Sequence, residues 1–315
     1  MTALSGAPRP GRVCPLDYAY APSVFARRAE LIAPALYVAG GLYGNLPAIE
    51  AAAAMVAAEP GAILIVNGDA HWFDAEPAWF AAVERTLAPH VAIRGNVESE
   101  IARGVGEAGC GCAYPDHVDD GTVERSNAIL ARLAGCASDA ARTRFAGLPM
   151  HLVAAVGPAR IGIVHGDATS LAGWRFDRAA LDDPRARDWL AGVRAASGID
   201  VFASTHTCAP ALRRIVTTEG AMAIANNGAA GMPNARGTRF GLVTRIGVAP
   251  SPVPPLYGLT TAGVHVDALP LRYDHARFLE SFDAAWPEGS PAAISYRSRM
   301  VDGPAMTFDL AAPPA

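Results

Sequence analysis

Ala35-Leu36-Tyr37-Val38-Ala39-Gly40-Gly41-Leu42-Tyr43-Gly44-Asn45-Leu46-Pro47 joins an apolar run to a glycine-rich turn and a helix start. The run at 35–39 reads as a short buried strand. Asn45 is a helix-capping residue, and the alanine-rich stretch behind it favours helical backbone to residue 58. The same order recurs downstream. Residues 62–66 form the next apolar run, ended by Asn67-Gly68-Asp69, with a helix expected at 76–87. Residues 91–94 are a third strand, followed by Gly95-Asn96-Val97-Glu98 and a further helical start. Polar residues therefore stand at the C-terminal tips of strands in a βαβαβ unit, where open α/β sheets place their ligands.

From Met150 the pattern changes to strands joined by turns, expected at 152–156, 161–165, 201–204, 213–217, 222–226 and 241–247, with one helix at 185–196 between them. A parallel unit followed by a meander predicts an α/β fold of two sheets packed face to face with helices outside, an αββα sandwich. The expected organisation is an irregular leader at 1–34, a main domain at 35–249 with a helical insertion at 104–148, and a C-terminal strand and helix appendage at 250–315. The appendage begins at the proline-rich Ser251-Pro252-Val253-Pro254-Pro255 and is expected to pack on the core or on a second copy of the chain as a homo-oligomer.

Composition narrows the functional classes. At 315 residues, 51% hydrophobic and 18% charged, the chain can bury a full core. A net charge of −4 argues against a dedicated nucleic-acid or anionic-membrane surface. All 26 basic residues are arginine, which excludes Schiff-base chemistry and the lysine-dependent phosphate loop. Apolar runs are too short to span a bilayer and no signal peptide is evident, so a cytoplasmic location is the default expectation. Five cysteines, at 14, 110, 112, 136 and 208, are an odd set that fits reduced thiols better than a disulfide framework. A thiol or redox role would require Cys110, Cys112 and Cys208 to converge.

Asp69, Asn96, His165 in Val164-His165-Gly166-Asp167, and His206 in Ser204-Thr205-His206-Thr207-Cys208 each follow an apolar strand, and their side chains are of the types that hold a divalent metal. With the Asn45 helix start and the Asn226-Asn227-Gly228 turn, this order resembles the calcineurin-like metallophosphoesterases, particularly their small bacterial branch, across residues 36–248. The resemblance implies a fold of the metallo-dependent phosphatase type and two metals sharing Asp69, one of them completed by Asn96, His165 and His206. The other metal's ligand positions fall on Gly41, Tyr43 and Cys208, so this first site is degenerate and one divalent ion is expected, zinc, manganese or iron. The family's leaving-group histidine corresponds to Val97, with Glu98 behind it.

The implied activity is metal-dependent hydrolysis of a small-molecule phosphomonoester or phosphodiester, with His206 and Asn96 positioning the reaction. Tyr43 as phenolate, Cys208 as thiolate and His71, two residues beyond Asp69, are candidate replacement ligands. Arg94, Arg236 and Arg239 adjoin the site loops and suit a phosphate or carboxylate as substrate-binding candidates, with an ordinary surface position narrowly favoured for them. Trp72, Phe73 and Trp174 flank site segments and could wall a pocket for a flat group, although core packing is the favoured role for all three. The alternative is a non-catalytic descendant that binds a ligand or partner in the old cleft.

Overall fold

The strand that opens the sequence pattern is β2 (Ala35–Ala39), and every residue in it is buried because both faces are covered. Leu36 and Val38 face one way, into a core shared with Ile161, Ile163, Val201 and Ala203 of an opposing sheet. Tyr37 and Ala39 face the other way, against the helices. In the computed structural model, which describes residues 9–314, this two-sided burial organises the whole chain. Residues 1–8 of the expected leader, and the last residue, lie outside the described ones.

A two-residue β1 (Leu31–Ile32) precedes β2; α1 (Leu46–Ala57), β3 (Ile63–Asn67), α2 (Pro77–Leu87), β4 (Val91–Ile93) and α3 (Asn96–Arg103) follow it. The insertion supplies α4 (Asp120–Ala134) and α5 (Asp139–Gly147). Then come β5 (His151–Val156), β6 (Ala159–Val164), α6 (Arg178–Asp182), α7 (Arg187–Ser197), β7 (Val201–Ser204), β8 (Ala211–Thr217), β9 (Gly220–Asn226) and β10 (Gly241–Gly247). The C-terminal part adds β11 (Tyr257–Thr261), β12 (Val264–Leu271), α8 (His275–Ala285), α9 (Pro291–Asp302) and α10 (Phe308–Ala311).

Two six-stranded sheets result, ordered β11-β12-β10-β2-β3-β4 and β1-β5-β6-β7-β9-β8. The first pairs β2, β3 and β4 in parallel, as the βαβαβ pattern predicts. The second is mixed as well: β6, β7 and β9 are parallel neighbours flanked by the β5–β6 and β8–β9 hairpins, with the short β1 added in parallel outside β5. The fold is thus the two-sheet αββα sandwich expected from the sequence. Among the described residues no helix is long and apolar enough to cross a membrane.

The segment expected as an appendage is part of this sandwich. β12 pairs with β10 from Gly241 opposite Leu271 to Gly247 opposite His265, so a boundary after residue 249 falls inside a sheet. The apolar face expected to meet either the core or a second subunit is used within the chain. Phe278, Phe282 and Trp286 of α8 and Met300 of α9 are buried with Ile129, Leu130 and Leu133 of the insertion, and with Tyr43, Trp72 and Phe73 beside the strand tips. The leader is likewise packed where described: Tyr18 is buried and donates its hydroxyl hydrogen bond to Glu100 at 2.5 Å.

Candidate metal centre

The parallel strands β3 and β4 of the first sheet lead into Asp69 and Asn96, and the opposing sheet delivers His165 and His206, at adjacent strand tips. The loop after β3 makes a sharp turn in which Gly68 has φ +74° and Asp69 φ +50°. A Cβ on Gly68 would lie 2.6 Å from the Gly95 nitrogen and from His165 Nδ1, so only glycine permits this approach. The buried Glu98 carboxylate ties the two loops together, accepting from the backbone N–H groups of Asp69 at 3.0 Å, Ala70 at 2.8 Å and Gly95 at 2.7 Å. The acid that follows the asparagine motif is therefore a brace for the strand tips.

The hydrogen bonds around the four side chains fix which atoms face one another. His165 Nδ1 lies 3.0 Å from the Asn67 carbonyl, which can only accept, so Nδ1 carries the proton and Nε2 faces inward. His206 Nε2 lies 3.0 Å from the Cys112 carbonyl, which by the same argument turns Nδ1 inward. Asn96 donates its Nδ2 to the Cys110 carbonyl at 2.9 Å and presents Oδ1. Four acceptors then converge: His165 Nε2 is 3.1 Å from Asn96 Oδ1, 3.1 Å from His206 Nδ1 and 3.4 Å from Asp69 Oδ1.

Lone pairs facing one another at these distances repel unless a positive charge lies among them. The ligand atoms of Asp69, His165 and His206 all fall within 4.8 Å of one another. Tetrahedral zinc with bonds of about 2.0–2.1 Å requires ligand-to-ligand edges of about 3.3 Å, so the donor set and its spacing fit a single divalent cation.

The electrostatics agree. Burial would raise the Asp69 pKa, but His165, the hydrogen bonds from it and from Val97 N–H, and His206 hold it below the usual carboxylate value. Burial opposes charging of His165, and Asp69 overrides it, pulling the imidazole pKa up. Burial, reinforced by repulsion from His165, pushes His206 down to about 3, leaving it neutral and able to ligate.

The other side of Asp69 is closed differently. Gly41 has φ +64° and no side chain, and a Cβ there would lie 2.8 Å from the Tyr43 ring. The Tyr43 hydroxyl and Cys208 Sγ are 2.8 Å apart and satisfy each other. Burial raises both pKa values, so this pair is a neutral phenol and thiol rather than the phenolate and thiolate that would ligate.

His71 is not beside the cluster. Its Nδ1 meets Asp74 at 2.6 Å, its Nε2 meets Glu84 at 2.9 Å, and its ring stacks on Phe80 at 4.1 Å, which leaves no nitrogen for a metal. Burial would lower its pKa, but Asp74 first and then Glu84 raise it to about 9, with Arg144 bonded to the far side of Glu84. A raised pKa stabilises the fold fully below the unfolded value of about 6.5, and that stability is lost as pH climbs through about 9. The shift amounts to about 3 kcal/mol. Between pH 7 and pH 10, denaturant titrations are expected to show the native protein losing about this much more stability than His71→Gln; parallel curves would refute the buried imidazolium.

The arginines next to the site loops in sequence do not line the cavity over the cluster. Arg94 reaches the Ala146 carbonyl at 3.4 Å, and Arg236 and Arg239 line a separate open depression with Asp302. The cation at the cavity is Arg299 of α9, which the sequence reading missed. The cavity holds about 160 Å³ and is walled by Trp72, Tyr114, Trp174 and Tyr296. Trp72 and Trp174 line the cavity where core packing was the favoured expectation, and Trp174 donates Nε1 to the same Cys112 carbonyl that orients His206, at 3.0 Å. Phe73 packs in the core under α8. The only signal for Arg299 is that it lies one helical turn beyond Tyr296, on the same helix face.

No model of a known protein family matches the sequence, and no curated protein matches it. Solved structures do. A hypothetical protein from Pyrococcus horikoshii OT3 superposes over 88% of this chain and 100% of its own, with a TM-score of 0.58 and 17% identity. A metallophosphoesterase from Sphaerobacter thermophilus does so over 86% of this chain and 100% of its own, with a TM-score of 0.53 and 16% identity. At these identities the likeness shows the fold alone, which this chain shares with the Sphaerobacter thermophilus metallophosphoesterase.

Proposed function

We propose that this chain is a phosphoester hydrolase working with one divalent ion held by Asp69, Asn96, His165 and His206. The observation that carries the reading is the convergence of Asn96 Oδ1, His206 Nδ1 and Asp69 Oδ1 on His165 Nε2 at 3.1 to 3.4 Å, with both imidazoles and the Asn96 amide oriented by backbone carbonyls behind them. One ion is favoured over two because the remaining positions hold Gly41 and the neutral Tyr43–Cys208 pair. The imidazole, amide and carboxylate donors suit zinc, manganese or iron(II).

A divalent ion there supplies Lewis-acid polarisation of a phosphoryl oxygen and activation of water. The chain's own residues do the rest. Asp69 contributes the negative charge that retains the cation. Asn96, fixed by the Cys110 carbonyl, and His206, fixed by the Cys112 carbonyl, position the reacting groups. The aromatic walls limit water around them. Val97 stands at the cavity where an imidazole would protonate the departing alcohol, and the nearby phenols and thiols are weaker acids, so esters of acidic alcohols are the preferred substrates.

The test is turnover of 4-nitrophenyl phosphate by protein loaded with zinc or manganese. Slow hydrolysis that disappears on chelation and returns with metal is expected. The same missing acid and closed second side favour a second reading, a descendant that binds ligands without hydrolysing them. No turnover with any divalent metal across mono- and diesters would leave only that reading.

A further inference from the structure

α9 packs against the helical insertion and reaches the cavity with Tyr296 and Arg299. The Arg299 guanidinium is held by two backbone carbonyls, Nε to Pro233 at 3.1 Å and Nη2 to Cys208 at 3.1 Å. Among the described residues no carboxylate pairs with it and its Nη1 makes no hydrogen bond, although it is half-buried at the cavity wall. A cation kept in place by neutral acceptors, beside an aromatic cavity, retains its charge and at least one donor for an anion that enters.

Charge points to the class of anion. One divalent cation on the Asp69 carboxylate leaves a single positive charge at the cluster. Glu98 is a second carboxylate whose field reaches His165, but it lies behind the cluster, accepting from three backbone N–H groups, and does not line the cavity. Among the groups that line the cavity, Arg299 brings the total to two positive charges, which match the dianion of a phosphomonoester better than the monoanion of a diester. The aromatic walls select the other half of the molecule. Tyr296 packs edge-on against Phe73 with centroids 5.1 Å apart, and Trp174 against His206 at 5.3 Å, so the rings are held and accept a flat group without reordering.

We infer that α9 is the substrate-recognition element of this site, Arg299 binding the phosphate of an aryl phosphomonoester and Tyr296 its aromatic ring. This rests on the hydrolase reading for the metal's presence but is tested without turnover. Phenylphosphonate and methylphosphonate are both mostly dianions at pH 8.5 and have no ester bond to cleave. Calorimetric titration of the zinc-loaded chain is expected to show phenylphosphonate binding about fivefold or more tightly than methylphosphonate. Arg299→Met weakens both by about tenfold or more. Tyr296→Leu removes the phenyl preference and leaves methylphosphonate affinity unchanged. If Arg299→Met does not fold, Arg299→Gln, which retains an amide donor and loses the charge, carries the same expectation. Equal affinity for the two phosphonates, no binding of either, or full affinity in the Arg299 variants overturns the inference. Phosphonate binding of the expected pattern by a protein that hydrolyses nothing would instead sustain this inference and overturn the hydrolase reading.

Discussion

Asp69→Ala is expected to take the protein from about one bound divalent ion to near none, and phosphoesterase turnover down by about a thousandfold or more. The size of the effect follows from the donor set. Asn96, His165 and His206 present neutral atoms, so Asp69 is the one anionic ligand in the cluster. Its removal leaves the cation without a counter-charge and also removes the acceptor for Val97 N–H at 3.3 Å. His206→Ala is expected to do nearly as much, since its pKa near 3 shows an imidazole kept neutral and ready to ligate at any physiological pH. Elemental analysis of protein purified without chelator, beside a thermal melt, separates loss of metal from loss of fold. A variant that melts normally and retains a full equivalent would place the metal elsewhere.

Metal binding also imposes a direction on the pH dependence. His165 is drawn toward protonation by Asp69, and a proton on its Nε2 competes with the cation for the same lone pair. Metal affinity is therefore expected to fall as pH drops below the raised His165 pKa, and equilibrium dialysis of zinc at pH 5.5, 7 and 8.5 reads it. Affinity that is flat over this range would mean that His165 does not ligate.

Much of this was legible in the residues alone because the signals are local. Each strand that carries a site residue is a short apolar run ended by glycine or a small polar residue, so the elements and the positions of Asp69, Asn96, His165 and His206 follow from the sequence pattern. The inner strands of the opposing sheet were readable for the same reason, whereas its edge strand β1 lies in the stretch expected to be an irregular leader. What was not legible depends on distant packing. His71 lies two residues from Asp69, yet its ring is held between Asp74, three residues on, and Glu84 of α2, a pairing completed by a helix that the motif does not include. The arginines nearest the motifs are directed to other surfaces, while Arg299 arrives from α9, far along the chain, and reaches the site through the Cys208 and Pro233 carbonyls. The backbone carbonyls of Cys110 and Cys112, which orient Asn96 and His206, carry no side-chain signature at all. The break expected after residue 249 failed because a proline-rich connection resembles a linker, whether or not the next strand returns to the same sheet.

Rebuilding the second metal position is expected to require Gly41→Asp, Tyr43→His and Cys208→His together. Gly41→Asp alone places a Cβ 2.8 Å from the Tyr43 ring at a φ of +64°. Aspartate tolerates that backbone region better than most residues, but the contact with a buried phenol has no room to relax. This single variant is expected to lose about 1–3 kcal/mol of stability and gain no ion. Cys208→His alone removes the partner of the Tyr43 hydroxyl, so it too costs stability without completing a ligand set. Replacing the phenol with the smaller imidazole clears the space over residue 41 and supplies a neutral donor, after which the three changes become mutually supporting. The triple variant is expected to bind about two equivalents and to hydrolyse 4-nitrophenyl phosphate at least about tenfold faster, an increment absent from every single variant because the groups act as a unit. Two equivalents in Cys208→His alone would show that Tyr43 ligates as it stands. One equivalent in a well-folded triple variant would show that the strand tips around Gly41 have moved too far apart to hold a second ion.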